Sequence, residues 1–176
     1  MTNRTAIIFN TSLVIMPLLS IASLALKCPP LTITLFTISY HLIANMAAGV
    51  LSKVIPLREG SPCFTVSDRE MEWYGIIGVR KWKDRAPTYE PEAFRTLDMK
   101  ALRRTTEGAE VCHLISIFFS ILPIPVALIS DYLRPGMAAF AITSALAVFF
   151  NLALIDIQRF NRYRIDRIIR KTGIIS

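Results

Sequence analysis

The chain is predicted to be an all-α integral membrane protein, with four transmembrane helices in two hairpins and an interfacial amphipathic segment between the hairpins. Three observations predict this. Of the 176 residues, 53% are hydrophobic, and they fall in uncharged blocks of about twenty, the helix length that crosses a hydrocarbon core of about 30 Å. The blocks lie in two pairs, each joined by a short turn. Nearly all the charge is confined to one central stretch and a C-terminal tail.

The first block, residues 5–26, carries no charge. It is long for the apolar region of a signal peptide and no clean small-x-small cleavage site follows, so a retained helix is expected. Pro17 is a kink that neighbouring helices can accommodate. Lys27, Cys28, Pro29 and Pro30 turn the chain into the second block, residues 31–51. Residues 56–108 are polar, and between Lys53 and Glu110 eleven Lys/Arg face ten Asp/Glu. Aromatic and aliphatic residues are mixed among them, which suits a folded surface segment rather than a disordered one. Trp73, Ile76 and Ile77 have the spacing of an interfacial helix, against which Gly75 and Gly78 argue. Pro91 opens another helical pattern through Phe94, Leu97, Ala101 and Leu102. The third span, residues 111–130, is interrupted by Pro123 and Pro125, so a kink or break is expected there. Residues 131–136 turn into the fourth span, residues 137–157. The tail, residues 158–176, alternates apolar and basic residues at helical spacing and is expected to lie on the membrane surface. All of this is read as a single membrane domain over residues 1–176.

The two hairpin turns carry only Lys27, Asp131 and Arg134. With four spans, the central segment and the basic tail share one side, which the positive-inside rule makes cytoplasmic, with both termini inside a cell membrane. The net charge of +7 comes mainly from the tail. Such a tail speaks for topology and anionic lipids rather than for nucleic acid. Cys28, Cys63 and Cys112 form no close pair and no zinc pattern. There is no Gly-x-Ser-x-Gly, no phosphate-cradling glycine loop and no Cys/His signature.

The candidate chemistry sits at the membrane boundary. Residues 71–87 hold both tryptophans, Trp73 and Trp82, and pack Arg80, Lys81, Lys83 and Arg85 around Asp84. Such a stretch either anchors the chain among lipid headgroups or forms part of a site for a charged amphiphile. Glu110 and His113 are neighbours on one helix face, with Glu107 a turn back and Arg103 four residues before it. A carboxylate orienting His113 fixes its tautomer and raises its basicity, as a general base requires. The bland alternative is a histidine and acids solvating a helix start. Glu110 and His113 also have a di-metal ligand spacing, but that design wants a second such pair and two more glutamates on facing helices, which the spans lack. His41 and Asn45 form an i, i+4 polar pair in the second span, either a substrate contact or an interhelical hydrogen bond. Asn151 and Gln158 share a face two turns apart, with Arg159, Asn161 and Arg162 beside them. The arginines are suited to a phosphate or carboxylate, and equally to headgroup anchoring.

Three strings, Arg80-Lys-Trp-Lys-Asp-Arg-Ala-Pro87, Glu107-x-x-Glu110-x-x-His113 and Gln158-Arg-Phe-Asn-Arg162, occur in this order. With them the chain resembles the glycosyl-4,4′-diaponeurosporenoate acyltransferase family, small membrane proteins of carotenoid synthesis. The resemblance implies transfer of a fatty acyl group to a hydroxyl of a glycosylated or isoprenoid lipid at the cytoplasmic face. For that reaction class, side-chain chemistry assigns His113 as general base, oriented by Glu110 or Glu107. Lys81, Lys83 and Arg85 are assigned to an anionic donor such as acyl-CoA, Asn151, Gln158, Asn161 and Arg162 to the acceptor, and Trp82 to lipid or sugar. No other cofactor and no metal are expected, and a homodimer is compatible with spans that enclose little volume. The competing classes are a non-enzymatic membrane scaffold or lipid-binding subunit, and a metal-assisted lipid hydrolase built on Glu110 and His113.

Overall fold

The structure is a computed structural model that describes residues 3–25, 29–56, 61–83, 98–129 and 134–172. Among the described residues every regular element is helical. The order is α1 (Asn3–Ala25), α2 (Pro29–Val54), a 3₁₀ turn (Pro62–Phe64), α3 (Asp68–Ile76), α4 (Val79–Trp82), α5 (Met99–Ile121), α6 (Pro123–Ile129), a second 3₁₀ turn (Arg134–Gly136) and α7 (Met137–Thr172).

The helices meet through small and hydroxylated residues and turn large apolar ones outward. Ala44 and Ala48 of α2, Ser116 and Ser120 of α5 and Ser144 of α7 are buried. Phe36, Ile43 and Val50 of α2, Leu114 and Phe118 of α5, and Ile142, Leu146 and Phe149 of α7 are exposed. This inverts a soluble protein and fits a lipid solvent, where close backbone approach and interhelical hydrogen bonds drive association. α1 and α2 pair through Ser20 and Ser39 at 3.2 Å and through Ser23, which donates to Thr32 at 3.0 Å.

The proline-bearing span breaks where expected. α5 stops at Ile121 and α6 starts at Pro123. Proline has no N–H, so the Phe119 carbonyl four residues earlier loses its helical donor. Tyr40 of α2 replaces it, donating its hydroxyl to that carbonyl at 2.8 Å. An orphan carbonyl in hydrocarbon costs several kcal/mol in principle, so such a replacement is what lets prolines persist in membrane helices.

Among the described residues, three helices are long and apolar enough to cross a membrane: Leu31–Val54, Met99–Val126 and Met137–Thr172. α1 is a further helix of 23 residues, and its described apolar stretch is Thr11–Ser23. One expectation is corrected: the basic tail is not a separate surface helix. It continues the fourth span as one 36-residue helix, because its apolar face is taken by protein. Ile165 and Ile169 bury against Leu102 of α5, and Ile157 and Phe160 against Val66, Tyr74 and Val79.

The interfacial segment is helical for local reasons. Ser67 caps α3 by accepting from the Glu70 amide at 3.2 Å, and Ser67-x-x-Glu70 is the spacing of a capping box. Gly78 adopts a left-handed φ of 68°, which separates α3 from α4. The helical pattern expected through Ala101 and Leu102 runs without a break into the third span: α5 begins at Met99, capped by Asp98, whose carboxylate accepts from the Lys100 amide at 2.8 Å.

Candidate functional site

α5 and α7 run antiparallel and carry most of the polar side chains assigned from sequence. His113 Nδ1 lies 2.9 Å from Asn151 Oδ1. Asn151 Nδ2 donates to the Ala147 carbonyl at 2.8 Å, which fixes the amide so that Oδ1 faces the ring. An amide oxygen only accepts, so Nδ1 carries the proton and Nε2 is left as the basic nitrogen of the neutral ring. The residue that sets the tautomer of His113 is therefore Asn151 on the facing helix, in place of Glu110 or Glu107 on its own.

Glu110 is held elsewhere. It accepts from Arg159 Nη1 at 2.7 Å and from Arg162 Nη2. Arg162 is fully buried, donates its Nε to the Phe64 carbonyl at 2.7 Å, and stacks over the Phe64 ring at 5.3 Å. Arg159 reaches back to Glu70 at 2.5 and 3.0 Å and to the carbonyls of Cys63 and Thr65. The two arginines thus pin residues 61–70 onto the end of the α5/α7 pair. Removing one partner of so buried a pair strands the other charge, which costs about 3–5 kcal/mol. Glu107 is buried with Arg103 at 3.5 Å, and Arg103 also pairs with Asp166 of α7 at 2.9 Å.

Glu70 and Tyr74 complete the cluster outside the membrane. The Arg159 hydrogen bond holds the Glu70 carboxyl below its ordinary range, against the opposing effect of burial. Burial, and then the hydrogen bond to Glu70, push the Tyr74 phenol above its ordinary value.

The remaining assigned residues divide. Asn161 is buried and Gln158 half-buried on α7. Lys81 is exposed and Lys83 buried at the end of α4. Arg85 lies outside the described residues. Trp82 is drawn inward, packing on the cluster around Tyr74, Val79 and Phe160 and donating Nε1 to the Ile77 carbonyl at 3.3 Å. The tryptophan left 57% exposed is Trp73, beside an exposed Ile76. Glu70, Tyr74 and Asp166 were not singled out from sequence. The capping-box spacing was the one local signal for Glu70, and none existed for its pairing with Arg159.

This is a helical membrane protein with a histidine–asparagine pair between two spans and an arginine–carboxylate cluster at their end. The chain belongs to the glycosyl-4,4'-diaponeurosporenoate acyltransferase family, whose sequence profile matches residues 61–171. The matched region contains the whole cluster. No curated protein and no solved structure matches the chain.

Proposed function

We propose that the chain is a membrane O-acyltransferase that moves a fatty acyl group from an activated donor, such as acyl-CoA, to a hydroxyl of a glycosylated or isoprenoid lipid at the cytoplasmic face. The observation that carries this is the His113–Asn151 pair inside a chain of an acyltransferase family. With Nδ1–H engaged, Nε2 accepts the proton of the acceptor hydroxyl. The hydroxyl oxygen attacks the thioester carbonyl, an ester bond forms as the C–S bond breaks, and the leaving thiolate recovers the proton from His113. No enzyme nucleophile is needed.

The arginine–glutamate cluster is structural in this reading, apart from the Nη1 end of Arg162. Its charges are matched within the protein, so donor phosphates fall to the exposed Lys81, with Lys83 and Arg85 beside it in sequence. Asn161 Oδ1 and Arg162 Nη1 are buried without a protein hydrogen-bond partner, which supports a polar contact to the acceptor there. Replacing His113 by alanine should lower turnover about 10²- to 10⁴-fold with helical content unchanged. Full acyl transfer by the folded variant ends the base assignment. A wild-type protein that acylates no glycolipid or isoprenoid acceptor favours the scaffold reading.

A further inference from the structure

One buried seam between α2, α5 and α7 holds polar side chains that the proposed acyl transfer does not use. His41 of α2 is 8% exposed, and neither ring nitrogen has a hydrogen-bond partner in the protein. Asn45, four residues on, donates to the His41 carbonyl and does not serve the ring. Ser116 of α5 and Ser144 of α7 are each 1% exposed, with Oγ unpaired. The Cys112 thiol, a weak donor, lies near Ser116 and Ser52, but no well-formed hydrogen bond reaches Ser116 Oγ. Other hydroxyls in these helices return to their own backbone: Ser39, Ser120 and Thr143 each donate to the carbonyl four residues earlier. Ser116 and Ser144 do not.

The helix register brings His41 and Ser144 to one depth, with Ser116 about one helical turn away. Ile33 of α2 lies against Gly136 and packs on Phe140 of α7. His41 is eight residues beyond Ile33 and Ser144 is eight beyond Gly136, so in helices running the same way they stand level. From the His113–Asn151 pair, seven residues on in α5 is Ser120 and seven back in α7 is Ser144. Ser116 lies between, one turn from His113. The side chains one turn further along are small, Ala44 on α2 and Ala147 on α7.

We infer that His41, Ser116 and Ser144 form an internal polar site within the membrane that holds a hydroxyl group, from water or from a lipid. A neutral imidazole offers one donor and one acceptor, and a serine offers both. The occupant must therefore both donate and accept, and must be small. A hydrocarbon tail would leave every one of these atoms unsatisfied in the core. An anion is disfavoured because a neutral imidazole and two hydroxyls supply no positive charge, and Arg162 is already paired with Glu110.

The test does not depend on the acyl-transfer reading. The protein, ¹⁵N-labelled at its two histidines, is placed in phosphatidylcholine bilayers, which carry no lipid hydroxyl, and in phosphatidylglycerol bilayers, which do. Magnetisation transfer from hydroxyl and water protons to the ring nitrogens is read by solid-state NMR, with His41→Leu assigning the His41 signals. Transfer to His41 in both bilayers identifies water, and transfer only in phosphatidylglycerol identifies a lipid hydroxyl. In either case the Ser116→Ala/Ser144→Ala double variant should reduce it at least twofold. No transfer in either bilayer, or transfer unchanged in the double variant, overturns the site.

Discussion

At the scale of the residue, the proposed chemistry rests on which atom of His113 is left basic. Asn151 decides this through one hydrogen bond, and its own amide is fixed by the Ala147 carbonyl. Replacing Asn151 by leucine leaves a buried donor unpaired and frees the ring to turn. A stranded group of this kind costs about 1–3 kcal/mol, so kcat should fall about tenfold to hundredfold. Acceptor KM should change little, because the loss is of orientation rather than of binding. Unchanged kcat would show that His113 does not act through the Nε2 lone pair. Neither the tautomer nor its cause was legible in the sequence. Spacing within one helix nominated Glu110 and Glu107, whereas the residue that meets the ring is 38 positions away on another helix.

Among the elements, helices are held by specific replacements for what the sequence removes. Pro123 deletes a donor and Tyr40 supplies one. Tyr40→Phe should therefore lower stability by about 0.6–1.7 kcal/mol, the range of interhelical hydrogen bonds in membranes, read as a lowered Tm in detergent or bilayer. An unaffected Tm would mean that the carbonyl finds another donor. Residues 61–70 are tied to α7 by Arg159, and the tie titrates through Glu70. The folded Glu70 pKa lies below the ordinary value of 4.5. Its contribution is thus fully present above that value and lost as pH falls through the lower folded pKa. Acid unfolding below pH 4.5 should be less steep in Glu70→Gln, measured as Tm against pH. Identical acid profiles would show that the Arg159 pairing does not bear on stability.

For the whole molecule, the side of the membrane each end occupies decides where the proposed reaction runs. The cytoplasmic side proposed for the cluster rests on the distribution of Lys and Arg. If α1 does not cross, residues N-terminal to α2 lie on the side opposite the tail; if it does, the N-terminus shares the tail's side. Cys63 is exposed, and its carbonyl is bonded by Arg159 of α7, so it reports the side on which the cluster lies. In a Cys28→Ser/Cys112→Ser background, a membrane-impermeant maleimide should label Cys63 only after the cells are permeabilised. Labelling of intact cells would reverse the orientation and place the proposed reaction on the outer face.

The sequence by itself determined the membrane class, the helix locations, the break at Pro123 and the family. Each follows from information local in the chain: runs of apolar residues, a missing N–H, short strings of side chains. It also drew attention to the stretches around His113 and Arg162, since ionisable residues at the edge of apolar runs stand out in one dimension. The tertiary structure alone decided the partners. That Glu110 belongs to Arg159 and Arg162, that Trp82 turns inward while Trp73 stays out, and that the basic tail packs on α5 rather than on lipid all depend on helix register and facing surfaces. Periodicity gives the face of one helix. What covers that face is set by packing among helices far apart in the chain, where the burial of one charge or ring is decided by its neighbours on another.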